Sequence, residues 1–436
     1  MTQLAKRFFL LLLLALVLTP VLQAKFHFAQ EKPLAGAFTV ATHPEFDWDA
    51  LRNNSFQPAL EQYLEDQIGF RPTLIRLRNQ LAFSLFRVAR SSDIVVGQQD
   101  VLFQPGPIQS YLGHDLLAED EVLFRVRRLR AVQRDLRQQG VQLLFVMAPN
   151  KARFEPENLP WHLRQPAGTV TNYERFVQAM RRDSVALLDL VPVFARWKAI
   201  HPYPLFPRVG THWSGYGATL AADTLLRHLE QLGHLRFPTV RTLGPPLVVR
   251  SADSLRGNDN DLGGTLNLLI QRETMPVAYR RLAFDPPRPG QVRPSALFVG
   301  DSFTWGLVLF GPYMQREFAD DTRFWYYNSA VHMPDSVYHD TGEQAANLDL
   351  KQQVESRRFV VVLLTEQNLV ENEFGFTERL YHLYHPLTAA DEASISRIAE
   401  KLTQQATWEE QTKNLENFTQ LTRQKAHAIL DHQQIK

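Results

Sequence analysis

The hydrophobic pattern of this chain changes period several times. Residues 8–22 form a leucine-rich run broken only by Thr19 and Pro20, with no amphipathic repeat. From Phe56 to Val88, apolar residues recur at helical spacing: Leu60, Tyr63 and Leu64, then Leu74, Leu77, Leu81 and Leu85. Gly69 and Pro72 divide this stretch into two helices. Ile94-Val95-Val96-Gly97 and Val101-Leu102-Phe103 predict a hairpin or short paired strands. A helix is expected over 120–139, with an apolar stripe of Val122, Leu129, Val132 and Leu136. Its arginines (Arg125, Arg127, Arg128, Arg130, Arg134 and Arg137) read as a solvated face rather than a polyanion site.

Beyond Gly140 the pattern alternates. Residues 141–148 are a continuous apolar run of strand length, as in a parallel strand covered on both faces. A helix follows over 173–181, a strand over 185–191 and a long helix over 215–232. Further buried strands are expected at 295–299 and 359–365, with a shorter candidate at 324–327. Helices alternating with buried strands predict an α/β sandwich with a mainly parallel central sheet. The Pro- and Arg-rich stretch 235–292 reads as a long surface excursion. From residue 387 the composition shifts to Gln, Glu, Lys and Ala, with Trp408, Leu415, Phe418 and Ile429 at roughly helical intervals. The expected organisation is a signal peptide or membrane anchor (1–24), a linker (25–55), an α/β domain (56–386) and a helical C-terminal extension (387–436).

Composition narrows the function classes. Across 436 residues, 44% hydrophobic and 11% aromatic content suffice for a large core and argue against pervasive disorder. Lys and Arg number 47 against 46 Asp and Glu, so no global basic field points to nucleic acid. Cysteine is absent, which excludes disulfides, thiolate metal sites and cysteine nucleophiles. Lys6 and Arg7 before the leucine-rich run give the layout of an export signal. The run is short of the roughly 20 residues of a spanning helix. Yet Leu22 is a poor small-residue match for cleavage after Ala24, which favours an uncleaved anchor over a removed signal peptide.

Gly300-Asp301-Ser302-Phe303 closes the 295–299 run, and a helix is expected over 303–310. A serine at such a strand-to-helix turn presents its hydroxyl, and backbone N–H groups beyond it can stabilise an oxyanion. The hydroxyl is inert near neutral pH without a base. Of 14 histidines the best placed is His212, at the helix entry Gly210-Thr211-His212-Trp213-Ser214-Gly215-Tyr216-Gly217. Asp301 is expected to cap the following helix or shape the turn with Gly300. Metal sites are not expected. His382 and His385 lack a clear acidic partner, and Asn258-Asp259-Asn260-Asp261 is only half a calcium loop.

The serine turn, preceded in the chain by Thr211-His212-Trp213-Ser214 and Tyr216-Gly217-Ala218, resembles the SGNH-hydrolase-like family of AlgJ/AlgX-type polysaccharide (alginate) O-acetyltransferases, in which the His motif precedes the Ser motif. Tyr63 to Arg71, Val95-Val96-Gly97 followed by Asp100 to Phe103, and Pro149-Asn150-Lys151 followed by Pro156 and Leu159-Pro160 resemble further family segments, over about residues 56–370. The resemblance implies an SGNH-like three-layer sandwich with Ser302 as nucleophile and His212 as base. It departs at one point: the family's Asp two residues before the His is Gly210 here. Asp259, Asp261 or Glu366 could substitute, with Glu366 preferred because it follows the 359–365 strand, at the sheet end where active-site residues collect, or a Ser–His dyad could suffice for a slow, activated-ester reaction. Trp213, Asn150, Lys151 and Arg153 are the candidates for substrate contact.

The resemblance further implies acyl transfer, acetyl foremost, to an exported polysaccharide in the periplasm. The acyl group would come from a membrane-bound O-acyltransferase with no soluble cofactor, and the N-terminus would sit in the inner membrane. Two other classes stay open on the sequence: a carbohydrate esterase using the same residues, and a weak or inactive glycan-binding scaffold, which Gly210 favours.

Overall fold

Seven strands build the central sheet of the computed structural model, which describes residues 3–36, 39–271, 274–335, 338–406 and 418–435. They are β1 (Gln142–Ala148), β2 (Leu187–Asp189), β3 (Ala296–Gly300), β4 (Arg323–Tyr326), β5 (Ala330–His332), β6 (Asp340–Gln344) and β7 (Phe359–Thr365). Their spatial order is β6-β5-β4-β3-β7-β1-β2. The five from β4 to β2 run parallel, and β5 and β6 add an antiparallel edge.

Alternation along the strands separates the two faces. Leu143, Phe145 and Met147 of β1, with Val360, Val362 and Leu364 of β7, pack beneath the helices Glu119–Gln138, Asn172–Arg182 and Phe376–Tyr384. Leu144, Val146 and Ala148, with Val361 and Leu363, turn the other way against Ala218, Ala221, Ala222, Leu225 and Leu229 of the helix Gly215–Gly233. The apolar runs of β1, β3 and β7 are thus covered on both sides, the condition for a parallel sheet.

Several expectations are refined. The 185–191 strand is shortened to β2, because Val191-Pro192 opens a helix, Val191–Ile200, where proline's missing N–H costs nothing. Strands β5 and β6 have no hydrophobic run in the sequence. The arginine face over 120–139 is not wholly solvated. Buried Arg128 bonds Asn372 and Glu378, and Arg125 donates to the carbonyls of Leu369 and Val370. The 235–292 excursion forms two small antiparallel pairs, Val240–Thr242 with Leu282–Phe284 and Leu247–Val249 with Val277–Tyr279.

The N-terminal helix Gln3–Phe26 is 24 residues long with mean hydropathy 2.1 over its most apolar window, long and apolar enough to cross a membrane. At the other end, helices Ala389–Gln405 and Phe418–Gln434 pack on each other through Ile395, Ala426 and Leu430. Ile435 enters the main core, and His432 stacks on Phe124 at 3.7 Å between ring centroids. Trp408 and Leu415 lie outside the described residues.

Candidate active site

The C-terminal ends of β1, β3 and β7 meet at one edge of the sheet. Ser302 follows β3 by two residues and opens a single-turn helix, Ser302–Trp305, leading into Gly306–Leu309. The tight exit requires glycine: a Cβ at Gly300 would stand 2.2 Å from Thr304 Oγ1 and 2.6 Å from the Leu363 carbonyl. Asp301 is fully buried and caps the turn as expected. Its Oδ1 accepts the Phe303 N–H at 3.0 Å. Oδ2 accepts Thr365 N–H at 2.7 Å, Thr365 Oγ1 at 2.6 Å and Asn368 Nδ2 at 2.7 Å. These bonds tie the turn to the end of β7. Thr365 and Asn368 gave no motif signal.

His212 arrives from the opposite side, on the loop before the helix Gly215–Gly233. Ser214 caps that helix through Gly217 N–H and donates to the Pro204 carbonyl at 2.6 Å. The His212 ring packs 4.9 Å from the Phe303 ring, and its Nε2 lies 2.7 Å from Ser302 Oγ. Its Nδ1 lies 2.5 Å from Asp261 Oδ2. A carboxylate only accepts hydrogen bonds, so Nδ1 carries the proton and Nε2 is left to accept from the serine hydroxyl. Asp261 Oδ1 in turn accepts Thr211 N–H at 2.9 Å and Leu262 N–H at 2.8 Å, which fixes the carboxylate beside the histidine loop.

Asp261 was one of three open candidates, and Glu366 the preferred one. The structure does not bring Glu366 to His212. Its fully buried carboxylate is bonded to Arg153 and to Asn150 N–H. Burial pushes its pKa up, against the lowering pull of Arg153. Asp259 is also engaged elsewhere. It accepts from Tyr279 Oη at 2.7 Å and from Gly215 N–H at 3.3 Å, and desolvation raises it to about 7. The sequence signal for Asp261 was present in the Asn258-Asp259-Asn260-Asp261 run, read there as half a calcium loop.

The surroundings of Gly210 explain why the carboxylate beside His212 comes from elsewhere. A Cβ there would meet Pro207 Cγ at 2.8 Å and the carbonyls of Asn258 and Asp259 at 3.0 Å each. The segment that carries Asp261 fills the space an aspartate at 210 would need.

The expected substrate contacts are corrected by burial. Trp213 is fully enclosed, stacked on Phe194 and edge-on to Phe303. Asn150 is buried as the cap of Lys151–Phe154, accepting from Arg153 N–H at 2.8 Å. Lys151 is buried too. Its ammonium donates to the carbonyls of Pro207 at 2.5 Å, Arg208 at 3.0 Å and Gly210 at 2.7 Å, the loop entering His212. Desolvation lowers its pKa to about 8, so it stays largely charged near neutrality. Arg153 is mostly buried between Glu366, Glu174 and Thr171, where the two carboxylates raise its pKa against desolvation. These four residues build the site from behind.

His382 and His385 diverge. His385 Nε2 lies 2.9 Å from Asp135, and His382 faces Asp431 and His427 of the C-terminal helix.

The model of the SGNH hydrolase-like domain, acetyltransferase AlgX, matches residues 94–321, more than half of the chain. A probable alginate O-acetylase AlgJ of Pseudomonas aeruginosa is 26% identical over 189 residues, 43% of this chain and 46% of that protein. That of Pseudomonas putida is 27% identical over 176 residues, 40% of this chain and 43% of that protein. The chain thus matches less than half the length of these relatives. Among solved structures, the O-acetyltransferase domain of Pseudomonas putida AlgJ aligns with TM-score 0.42 and 18% identity, covering 66% of this chain and 99% of that one. Pseudomonas aeruginosa AlgX aligns with TM-score 0.41 and 14% identity, covering 65% and 67%. With its His motif ahead of its Ser motif on a mainly parallel three-layer sandwich, the chain belongs to the AlgX-type acetyltransferase family of SGNH-hydrolase-like domains.

Proposed function

We propose that this protein moves an acyl group, acetyl foremost, onto hydroxyls of an exported polysaccharide through an acyl-enzyme on Ser302. The observation that carries the reading is the continuous relay Asp261–His212–Ser302, with 2.5 Å and 2.7 Å contacts at the two ring nitrogens. His212 Nε2 takes the proton of Ser302 Oγ as the oxygen attacks the acyl carbon of the donor. The tetrahedral oxyanion faces the Ser302 backbone N–H. The intermediate collapses as His212 returns the proton to the departing donor oxygen, leaving acyl-Ser302. A sugar hydroxyl then enters, gives its proton to His212 and attacks the ester. The proton ends on Ser302 Oγ, and the acyl group on the sugar. Asp261 holds the productive tautomer and stabilises the imidazolium in both halves.

The acid position occupied by Gly210 favoured a non-catalytic scaffold, and Asp261 within hydrogen-bond reach of His212 weighs against it. The AlgX-type family supports acetyl transfer, and the AlgJ relatives support a polysaccharide acceptor. The apolar N-terminal helix supports an exported domain tethered to the inner membrane and facing the periplasm. A membrane-bound O-acyltransferase is the proposed acyl supplier.

Intact-mass analysis of the full chain in detergent, after incubation with a chromogenic acetyl ester, tests this. An acetyl adduct mapped to Ser302 and lost in Ser302→Ala and His212→Ala is expected. Added sugar acceptors then separate transfer from hydrolysis. A folded wild type giving neither adduct nor ester turnover would sink the reading.

A further inference from the structure

We propose that His382, His427 and Asp431 form a site for a divalent d-block cation, zinc foremost, that fastens the C-terminal helix to the α/β core. His382 lies on the helix Phe376–Tyr384, which packs against the sheet. His427 and Asp431 lie four residues apart on Phe418–Gln434, so both project from one face of that helix. One donor atom from each falls within 4.8 Å of the others. His382 Nε2 is 3.1 Å from Asp431 Oδ2, and His427 Nε2 is 3.9 Å from Asp431 Oδ1. Donors about 2.0 Å from a tetrahedral zinc stand roughly 3.3 Å apart, so small rotations would seat an ion between them.

The hydrogen bonding gives an independent reason to expect a ligand. Asp431 is 3% exposed, and among the described residues its buried Oδ1 has no hydrogen-bond partner. Nor do Nδ1 and Nε2 of His382 or Nε2 of His427 find well-directed partners among the described residues. One of these atoms from each of the three side chains converges on the others; leaving them buried without hydrogen bonds would be costly, and a cation satisfies one lone pair from each together. Two imidazoles and a carboxylate suit zinc or its neighbours better than calcium or magnesium, which prefer all-oxygen sets. Three protein donors leave the fourth position of a tetrahedral ion to water. The cluster stands apart from the Ser302–His212 relay and outside residues 94–321 of the family match.

The test uses the full chain in detergent, stripped with chelator and titrated with Zn²⁺ against a chromogenic zinc indicator. One ion per chain is expected. His382→Ala and His427→Ala, checked for helix content, should each weaken binding by more than 100-fold, beyond the about 10- to 100-fold loss expected from removing a merely supporting contact. His212→Ala should bind as the wild type does, separating this site from the active-site imidazole. X-ray absorption on the zinc-loaded wild type should show two histidine rings in the first shell, a readout independent of variant folding. No zinc binding, binding undiminished in both histidine variants, or a first shell without histidine would each overturn the proposal.

Discussion

Asp261 Oδ2 stands 2.5 Å from His212 Nδ1, and its other oxygen holds the N–H of Thr211. One carboxylate therefore sets both the tautomer of the imidazole and the path of the loop that carries it. Asp261→Asn should lower kcat on an acetyl ester by about 10³- to 10⁴-fold with KM little changed, because the amide can donate to Nδ1 and stabilise the wrong tautomer. Steady-state kinetics checks this. A loss under about tenfold would remove Asp261 from the acid role.

Gly210→Asp should not restore activity to Asp261→Asn. The new Cβ would press on Pro207 and on the carbonyls of Asn258 and Asp259. The double variant is expected to be less stable than Asp261→Asn, by about 1–3 kcal/mol for overpacking, and no faster. Recovery of most of the lost rate would mean that the 258–261 segment yields easily and that the acid can be carried from either position.

The sequence shows clearly what depends on local periodicity. Residues 359–364 are apolar throughout and, closed by Thr365, form β7 without a shift of boundary, and Gly300-Asp301-Ser302 sits at the strand exit its pattern implied. The carboxylate partner of His212 was legible only as a set of candidates. Asp261 reaches His212 across 49 positions of chain, through an excursion whose course no periodicity records. Glu366 was attractive because it follows a central strand. Yet every sheet-end position is not equivalent, and Arg153 claims this one. Lys151 and Trp213 misled in another way, since a residue beside a motif can support it from inside the protein as readily as it can meet a substrate.

Glu366→Gln should separate stability from catalysis. The substitution strips a charge partner from Arg153, which is mostly buried, and leaves that charge to Glu174. Removing one partner of a buried pair costs about 3 kcal/mol or more. A lowered urea midpoint is expected, with kcat of the folded protein falling far less than in Asp261→Asn. An equal fall in kcat would restore Glu366 as a candidate for the catalytic acid.

Lys151→Met should loosen the histidine loop. The methionine fills much of the space but leaves the carbonyls of Pro207, Arg208 and Gly210 without their shared donor. Displacing His212 by about 1 Å should cost about 100-fold in kcat. Hydrogen exchange should quicken at the Ser214 amide, which bonds Leu205 across the same loop. Unchanged exchange there would show that the loop is held by its other contacts.

Asp259 gives a prediction about pH. Burial, reinforced by the charge of Asp261, lifts its carboxyl to about 7, against the lowering effect of the Tyr279 hydroxyl and the Gly215 N–H. In the unfolded chain the same group titrates near 4. Between those values the folded protein holds a proton that the unfolded chain has released. This carboxyl therefore contributes a stability that falls as pH rises from about 4 to 7, by at most about 1.4 kcal/mol per pH unit, and then levels off. Asp259→Asn carries no such proton. Its stability relative to wild type should rise from pH 5 to pH 7.5 and change little beyond, read from urea midpoints of the two proteins at each pH. The comparison cancels Glu317, which burial raises to about 8 and which tilts both curves the same way. Parallel curves for the two proteins would show that Asp259 is ionised in the folded state at pH 5, and that Tyr279 and Gly215 stabilise its charge.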